Sequence, residues 1–234
     1  ENNLPSLALH LKLNGNVKDE TEYKNNGQAY GVTLVEDRFG NDSSAYEFSG
    51  GPDYIKIPWN ETLEIRNNTT MSFWAKLPTN EELWKQRAVI TSKGGVYIFN
   101  VQRRNNGEWE FGARGQLINQ ETWTTVIPGS EWNHFAFTQE PDSTDGTLNK
   151  LYFNGHLVKE HNIGRGDRSY DGDQGDYLYI GTFRDDESWN AFRGQLDDIR
   201  IYGITLTKEE VESLYDTERN TAQDIEILKV VDNI

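Results

Sequence analysis

The chain has 234 residues, and 23 Lys and Arg against 38 Asp and Glu give it a formal net charge of −15. A field of this sign repels nucleic acid and anionic membrane surfaces, so neither is an expected partner. The absence of cysteine excludes disulfides, thiolate metal ligands and a catalytic cysteine. No apolar run approaches the ~18 residues of a spanning helix, so no direct membrane insertion is expected.

The composition favours β-structure. Hydrophobic residues make up 35% and aromatic residues 12% of the chain, which is typical of thin sheets with one polar face. A chain of this length can form a single sandwich. We predict one domain over residues 1–217. The segment 218–234, polar at first and then IEILKVV, is predicted to be a tail or linker that could add one strand.

Most of the chain has the pattern of short strands. The first is Leu7 to Leu13, where leucine occupies every second position, as in a strand with one buried face. Glycines, prolines and polar clusters separate further predicted strands at 28–35, 44–49, 53–57, 70–77, 88–91, 96–101, 108–113, 123–127, 133–138, 148–153, 156–160, 177–181 and 195–202. The pattern predicts an all-β fold with two antiparallel sheets.

Two local signals are more specific. Asn154-Gly155 is the preferred two-residue turn of a β-hairpin. Thr207, followed three residues later by Glu210, predicts a capping box at the start of a short C-terminal helix. The apolar face of this helix would carry Val211, Leu214 and Tyr215. We expect that face to pack at a sheet edge.

Seven blocks of sequence follow one another in a recognisable order. They are LHLKLNGNVKDETEYKNNG from Leu9, DRFGNDSSAYEFSGGPDYIKIP at 37–58, TMSFWAKLP at 70–78, EWNHFAFT at 131–138, KLYFNGHLV at 150–158, LYIGTF at 178–183 and FRGQLDDIRIYGITLTKEEVESLY from Phe192. Together they resemble bacterial laminin G-like jelly-roll domains of the concanavalin A-like lectin/glucanase superfamily. The resemblance implies a jelly-roll sandwich in which Trp74 and Trp132, both in framework blocks, belong to the core.

The resemblance also implies a function. Domains of this kind are commonly attached to exported bacterial enzymes or surface proteins, where they bind glycans or protein partners. We therefore expect a monomeric binding module that is secreted, periplasmic or at the cell surface, although the sequence begins at Glu1 without a signal-like segment. A glycan and an extracellular protein are both possible partners, and the sequence does not separate them.

The superfamily includes endoglucanases, which makes glycoside hydrolysis a second possible activity. Their retaining site resembles a strand E-x-D-x-E, with two carboxyl groups ~5 Å apart. The nearest match here is Glu108-Trp109-Glu110-Phe111-Gly112, in which glycine replaces the third carboxylate. Glu108 and Glu110 are weak catalytic candidates, with a solvated strand face as the alternative. The chain is expected not to be an enzyme, with glycoside hydrolysis as the second possibility.

Calcium is the expected cofactor, because similar jelly-roll domains often hold one ion through carboxylate, amide and carbonyl oxygens. The candidate ligands are Asp19, Asp37, Asn41, Asp197 and Asp198. The alternative is that these side chains cap loops. Asp197 and Asp198 are adjacent, so on a regular strand they are expected to point to opposite faces and not to act as an acid and nucleophile pair.

Loop aromatics are the candidate ligand-binding residues, because sugar rings stack on such side chains. The candidates are Trp84, Trp109, Tyr170 and Trp189 with the nearby Arg103 and Arg114, and Trp123 and Arg184 lie in neighbouring segments. Packing at the core or the sheet edge is the alternative for each aromatic.

Overall fold

The computed structural model describes residues 6–65, 68–78, 88–91, 98–115, 121–143, 146–164, 176–183 and 191–219. The strands are β1 Leu9–Leu11, β2 Gln28–Tyr30, β3 Thr33–Val35, β4 Ala45–Ser49, β5 Tyr54–Pro58, β6 Thr69–Lys76, β7 Ala88–Thr91, β8 Ile98–Arg103, β9 Trp109–Arg114, β10 Thr122–Val126, β11 Trp132–Pro141, β12 Thr147–Phe153, β13 His156–Ile163, β14 Tyr177–Ile180 and β15 Arg193–Tyr202. A 3-10 turn at Glu61–Leu63 and helix α1 at Lys208–Arg219 complete the described elements.

The strands form two antiparallel sheets. The eight-stranded sheet has the order β13-β12-β11-β6-β15-β4-β3, and β1 also pairs with β15. The seven-stranded sheet has the order β10-β9-β8-β7-β14-β5-β2. This confirms the prediction of an all-β, two-sheet sandwich with one short C-terminal helix. No helix in the described part of the chain is long and apolar enough to cross a membrane.

Alternating side chains from the two sheets fill the space between them. Seven phenylalanines in the described part of this core are fully buried: Phe48, Phe73, Phe99, Phe111, Phe135, Phe137 and Phe192. Several of their rings meet edge to face, and Phe73 and Phe99 do so at 4.8 Å. Each such side chain contributes ~1.5–3 kcal/mol when it leaves water, so this layer is the main source of stability.

The predicted strand 28–35 is wrong as a single element. Its first half, β2, pairs with β5 in the seven-stranded sheet, and its second half, β3, pairs with β4 in the eight-stranded sheet. Gly31 lies between them with a φ of +69°, which glycine adopts without strain. A side chain there would also overlap the carboxylate of Asp53. The chain therefore changes sheets at Gly31.

The expectation that Asp197 and Asp198 point to opposite faces is also wrong. A β-bulge interrupts the pairing of β15 with β6 between Asp197 and Arg200, and Asp198 has a left-handed φ of +53°. A bulge inserts one extra residue and turns its side chain. Both carboxylates therefore reach Arg38 on the outer face of the eight-stranded sheet.

Arg38 connects three parts of the fold. From the loop after β3, its Nη1 donates to Asp197 and its Nη2 donates to Asp198 Oδ2 at 2.8 Å. Its Nε donates to the backbone carbonyl of Glu218, near the end of α1, at 3.0 Å. The Arg38 side chain is only 8% exposed. The loop, the bulge and the end of the helix are thus held by one buried cation.

Further groups complete this buried ionic network. His10 Nε2 lies 2.7 Å from Asp198 Oδ1, Arg200 contacts both Asp198 and Glu218, and Trp74 Nε1 donates to Glu218 Oε2 at 2.7 Å. Burial alone would raise the pKa of Asp198, but the His10 hydrogen bond and the Arg200 and Arg38 charges outweigh it and lower that pKa. Asp198 is therefore ionised at neutral pH.

Asp197 behaves differently from its neighbour. Burial raises the pKa of Asp197 to about 7, against the opposing effect of Arg38. Near neutral pH the charge of Arg38 is thus balanced chiefly by Asp198. The two adjacent carboxylates therefore differ: Asp198 stays ionised, whereas Asp197 gains or loses its proton near neutral pH.

Helix α1 lies on the outer face of the eight-stranded sheet. Its capping box is confirmed: Thr207 N donates to Glu210 Oε2 at 2.7 Å, and Glu210 N donates to Thr207 Oγ1 at 3.2 Å. Val211 is buried against Ala136 and Tyr152. The helix extends two residues into the predicted tail, because Glu218 and Arg219 belong to it. The rest of that tail lies outside the described residues.

An aromatic cluster lies beneath the helix. The Tyr215 ring stacks on Trp74 at 5.6 Å, and His134 lies 5.2 Å from Trp74 and 5.8 Å from Tyr215. Trp74 is buried as predicted, but it packs under α1 rather than between the sheets. The confirmed hairpin turn contributes here, because a side chain at Gly155 would overlap the Tyr215 ring. The turn and the helix are therefore packed together.

Replacing Thr207 by Ala removes one half of the capping box. We expect the free energy of unfolding to fall by ~1 kcal/mol, the usual cost of losing an N-cap side chain. Urea unfolding followed by circular dichroism measures this. The control is Thr217→Ala in the same helix, where Thr217 is exposed and donates a hydrogen bond to the carbonyl of Ser213 in its own helix. Equal effects of the two substitutions would contradict the capping role.

His134 gives a prediction for the pH dependence of stability. Burial, with the Arg200 and Arg38 charges, lowers its pKa from 6.5 to about 3, and neither ring nitrogen has a hydrogen-bond partner among the described residues. The unfolded chain therefore takes up a proton at His134 below pH 6.5, while the folded chain does not. This lowers stability as the pH falls, by at most ~1.4 kcal/mol per pH unit.

His134→Phe keeps a ring in the aromatic cluster and removes this titration. We expect the variant to be at least as stable as the wild type at pH 7. Its advantage should grow as the pH falls from 7 to 5, because only the wild type loses stability through His134. Urea unfolding of both proteins at several pH values measures the difference. A difference that does not change with pH would show that His134 is not held neutral by the fold.

Candidate functional site

The outer face of the seven-stranded sheet carries four neighbouring tyrosines. Tyr30 lies on β2, Tyr54 on β5, and Tyr177 and Tyr179 on β14. These four residues form the tyrosine patch. Tyr30 is 40% exposed, and the other three are partly exposed. Apolar rings at such positions are not needed for the core, so the patch is a candidate binding surface.

Strand register brings the four rings together. Tyr30 and Tyr54 are direct cross-strand partners whose rings stack 4.8 Å apart. Tyr179 pairs with Lys56, two positions beyond Tyr54 on β5, and its ring lies 6.1 Å from the Tyr54 ring. Tyr177 lies 6.2 Å from Tyr179. The result is a continuous aromatic surface built across three adjacent strands.

Two further features fix this surface in place. The Lys56 ammonium lies 3.9 Å from the centroid of the Tyr177 ring, a cation–π contact. The carboxylate of Asp53, which lies against Gly31, accepts hydrogen bonds from the backbone and hydroxyl of Ser49. The turn after Tyr30 and the start of β5 are thereby packed against each other. The patch is consequently presented by rigid strands rather than by a loop.

The middle of the same outer face is buried. Thr91, Ile98, Asn100 and Arg114 point to this side of the sheet and are at most 7% exposed. The described outer face is therefore open at its two ends: at β2, β5 and β14, which carry the tyrosine patch, and at β10, where Trp123 is partly exposed and Thr125 is exposed.

The weak catalytic candidates are both engaged in local contacts. Glu108 precedes β9 and accepts a hydrogen bond from Asn106 Nδ2 at 2.7 Å. Glu110 is buried on the outer face, where Gln102 and Arg104 both donate to its carboxylate. The Arg104 contact neutralises the charge of Glu110. This arrangement resembles structural pairing more than an acid and nucleophile pair.

Gly112 shows why the third carboxylate of the endoglucanase pattern is missing. It is the direct cross-strand partner of Trp123 on β10. Any side chain at Gly112 would overlap the Trp123 indole. The glycine is therefore required by packing, and a carboxylate cannot occupy its position while Trp123 stays where it is.

The predicted calcium ligands already have partners within the protein. Asp19 accepts hydrogen bonds from the backbones of His10, Thr21 and Asn25. Asp37 accepts them from Phe39 and from the backbone and side chain of Asn41. Asp197 and Asp198 face Arg38, a cation that opposes a nearby metal ion.

These side chains therefore do not fit a single calcium site. No group of three or more His, Asp or Glu suited to a metal ion occurs within the described ranges. As placed, the five side chains cap loops and pair with cations, which is the alternative given above. Calcium binding by the chain stays a prediction.

The predicted ligand-binding residues are dispersed. Trp84, Tyr170, Arg184 and Trp189 lie outside the described residues. Trp109 packs against the core between the sheets, and Arg103 Nε donates to the carbonyl of Gly107. Arg114 is buried. Trp132 was expected in the core, but it is only partly buried, on the outer face of the eight-stranded sheet.

The tyrosine patch was missed at the level of sequence. Tyr177 and Tyr179 alternate within one predicted strand, a signal that both share a face. Tyr30 and Tyr54 come from strands far apart in the chain, and only the pairing of β2 with β5 and of β5 with β14 brings them there. The alternation was detectable, whereas the juxtaposition required the sheet order.

Solved structures with this fold come from several proteins. The botulinum neurotoxin serotype D ligand-binding domain in complex with N-acetylneuraminic acid is 18% identical, with a TM-score of 0.64 over 91% of this chain and 51% of that one. The binding domain of Paraclostridial Mosquitocidal Protein 1 is 18% identical, with a TM-score of 0.62 over 91% and 52%. The chain thus spans about half the length of these toxin domains.

A third structure matches over nearly its whole length. It is domain 4 of AbnA, a GH43 extracellular arabinanase from Geobacillus stearothermophilus, in complex with arabinotriose. It is 18% identical, with a TM-score of 0.61 over 90% of this chain and 98% of that one. At these identities the similarity establishes the fold. No curated protein matches the sequence.

The family is established by sequence. The model of one family, Laminin_G_3, matches residues 49–212, which is more than half of the chain. That range runs from the end of β4 into α1 and includes most strands of both sheets. The predicted resemblance is therefore confirmed, and the chain belongs to the Laminin_G_3 family of the concanavalin A-like lectin/glucanases superfamily.

Proposed function

We propose that the chain is a non-catalytic carbohydrate-binding module of a secreted or cell-surface bacterial protein. The observation that carries the proposal is the tyrosine patch. Its four rings form a partly exposed, continuous surface on rigid strands. Sugar rings present C–H groups that pack on aromatic faces, and their hydroxyls bond to nearby polar side chains.

Polar groups suited to sugar hydroxyls border the patch. Gln28 lies in the same cross-strand row as Lys56 and Tyr179, and its Oε1 accepts a hydrogen bond from the Tyr30 hydroxyl at 2.8 Å. Gln28 is exposed, so its amide NH₂ can donate to a ligand. Rings flanked by amide and ammonium donors match the mixed apolar and polar surface of a sugar.

The comparisons support carbohydrate as the ligand and a location outside the cell. Two of the solved structures were determined with N-acetylneuraminic acid and with arabinotriose. One of these proteins is a neurotoxin, and the other is an extracellular arabinanase. A protein of this family that acts outside the cell and binds carbohydrate fits both comparisons.

Binding by the patch is tested with Tyr30→Ala. We expect glycan affinity to fall by about tenfold, because one aromatic contact contributes up to ~1.5 kcal/mol. A glycan array that includes arabinotriose and sialylated sugars identifies the ligand, and calorimetry with that ligand measures affinity. Tyr23→Ala is the control, since Tyr23 is 37% exposed in the loop before β2. Its affinity should equal that of the wild type.

Two results would contradict the glycan proposal. Wild-type protein that gives no array signal above background would favour a protein partner for the same aromatic surface. Equal losses in Tyr30→Ala and Tyr23→Ala would place the glycan elsewhere.

The absence of catalysis is tested by incubating the protein with arabinan and β-glucans. We expect no release of reducing ends, because Glu110 is paired with Arg104 and Gly112 excludes a third carboxylate. Hydrolysis by the wild type that disappears in Glu110→Gln would overturn this part of the proposal. The thermal unfolding of Glu110→Gln shows whether such a loss comes from misfolding.

A further inference from the structure

The outer face of the eight-stranded sheet carries a second row of side chains, on the side opposite to the tyrosine patch. Cross-strand pairing aligns Thr33 on β3, Glu47 on β4, Gln195 on β15, Lys76 on β6 and Trp132 on β11. All five are at least partly exposed. Strands lie ~4.8 Å apart, so the row crosses the sheet over ~19 Å.

This row forms the floor of a groove. Two adjoining clefts of about 580 and 420 Å³ share Lys76 and Gln195, and each has the size of a ligand site. One wall is the loop from Glu36 to Asp42. The other wall contains Leu77, Pro78, Ser130, Arg193 and Gly194.

Rigid contacts hold both walls of the groove. Arg38, in the first wall, is fixed by Asp197, Asp198 and the end of α1. Gly194, in the second wall, has a φ of +142°, and a side chain there would lie 2.8 Å from the backbone oxygen of Lys76. The groove is therefore already formed in the free protein, which lowers the entropic cost of binding.

The charges in the groove favour a cationic ligand. Lys76 pairs with Glu131 at 3.2 Å. Glu36, Asp42 and Glu47 are exposed, and within the described residues no Lys, Arg or His forms an ion pair with them. Arg193 is the remaining exposed cation of the lining. The groove thus has an excess of carboxylates, and the net charge of −15 acts in the same direction.

The direction of the groove distinguishes between kinds of cationic chain. An extended peptide gains main-chain hydrogen bonds along the edge of a sheet. This groove instead crosses β4, β15 and β6, whose backbone groups are paired with neighbouring strands. Recognition must come from side chains: the Trp132 indole, the Gln195 amide and the carboxylates. These side chains match a chain of rings that carry hydroxyl and amino groups.

We propose that this groove binds an oligosaccharide whose sugars carry free amino groups. Such a chain places one ring on Trp132, its hydroxyls on Gln195 and Lys76, and its ammonium groups on Glu47, Glu36 and Asp42. The site is separate from the tyrosine patch and lies on the other sheet, so it adds a second ligand surface to the module.

The test compares two ligands that differ only at the amino group of each sugar, which is free in one and acetylated in the other: the β-linked tetramers of glucosamine and of N-acetylglucosamine. Calorimetry at pH 6 and low salt should give at least tenfold tighter binding of the glucosamine tetramer. Added salt should remove most of this difference, because ions screen exposed charges. Glu47→Gln should weaken binding of the glucosamine tetramer several-fold.

Two controls separate this site from the rest of the protein. Glu22→Gln removes an exposed carboxylate outside the groove and should leave the affinity unchanged. Tyr30→Ala should also leave this affinity unchanged. The proposal for the groove and the proposal for the tyrosine patch are therefore tested separately. Equal affinity for the two tetramers, or no effect of Glu47→Gln, would overturn the proposal. Tighter binding of tetralysine than of the glucosamine tetramer would also overturn it and indicate a basic peptide.

Discussion

The contact of Arg38 with the bulge in β15 is the constraint on which the outer face of the eight-stranded sheet depends. The guanidinium is buried, and a buried cation without partners is strongly destabilising. Its partners come from a bulge that turns Asp198 to the same side as Asp197, and from the end of α1. Neither the loop after β3 nor the helix can move without leaving a charge unpaired.

The same contact divides that face into two parts. On one side, α1 covers Trp74 and His134, and Tyr215 completes an aromatic cluster. On the other side, the loop that carries Arg38 stands above the sheet and forms a wall of the groove. A single ionic network therefore both seals one half of the sheet and shapes the open half.

Sequence reasoning reached the fold because its signals are local. The hairpin at Asn154-Gly155 and the capping box of Thr207 and Glu210 are set by residues within one turn of chain, and both were predicted correctly. The ordered family blocks then indicated a two-sheet jelly-roll sandwich, without its strand order. Local patterns identify elements well because each depends on few residues.

The features that sequence reasoning missed depend on pairing between distant strands. Residues 28–35 divide at Gly31 because the first half pairs with β5 and the second half pairs with β4. The strand-like sequence pattern is the same in both halves, so it does not reveal the division. In the bulge, Asp198 is bound by His10 from β1 and by Arg38 from the loop after β3, so adjacency alone suggested opposite faces. The tyrosine patch and the groove both need the strand order. No segment of the sequence contains that information by itself.

Burial separates the charged groups of this protein into two kinds. Under α1, each carboxylate of the network contacts Arg38, Arg200 or His10, and these contacts hold the loop, the bulge and the helix together. Along the groove, the carboxylates of Glu36, Asp42 and Glu47 are exposed, and the described structure provides them with no cation. These carboxylates take no part in holding the fold together, so they are available to a ligand. The groups that stabilise this sandwich and the groups that can recognise a partner are therefore different residues on the same sheet.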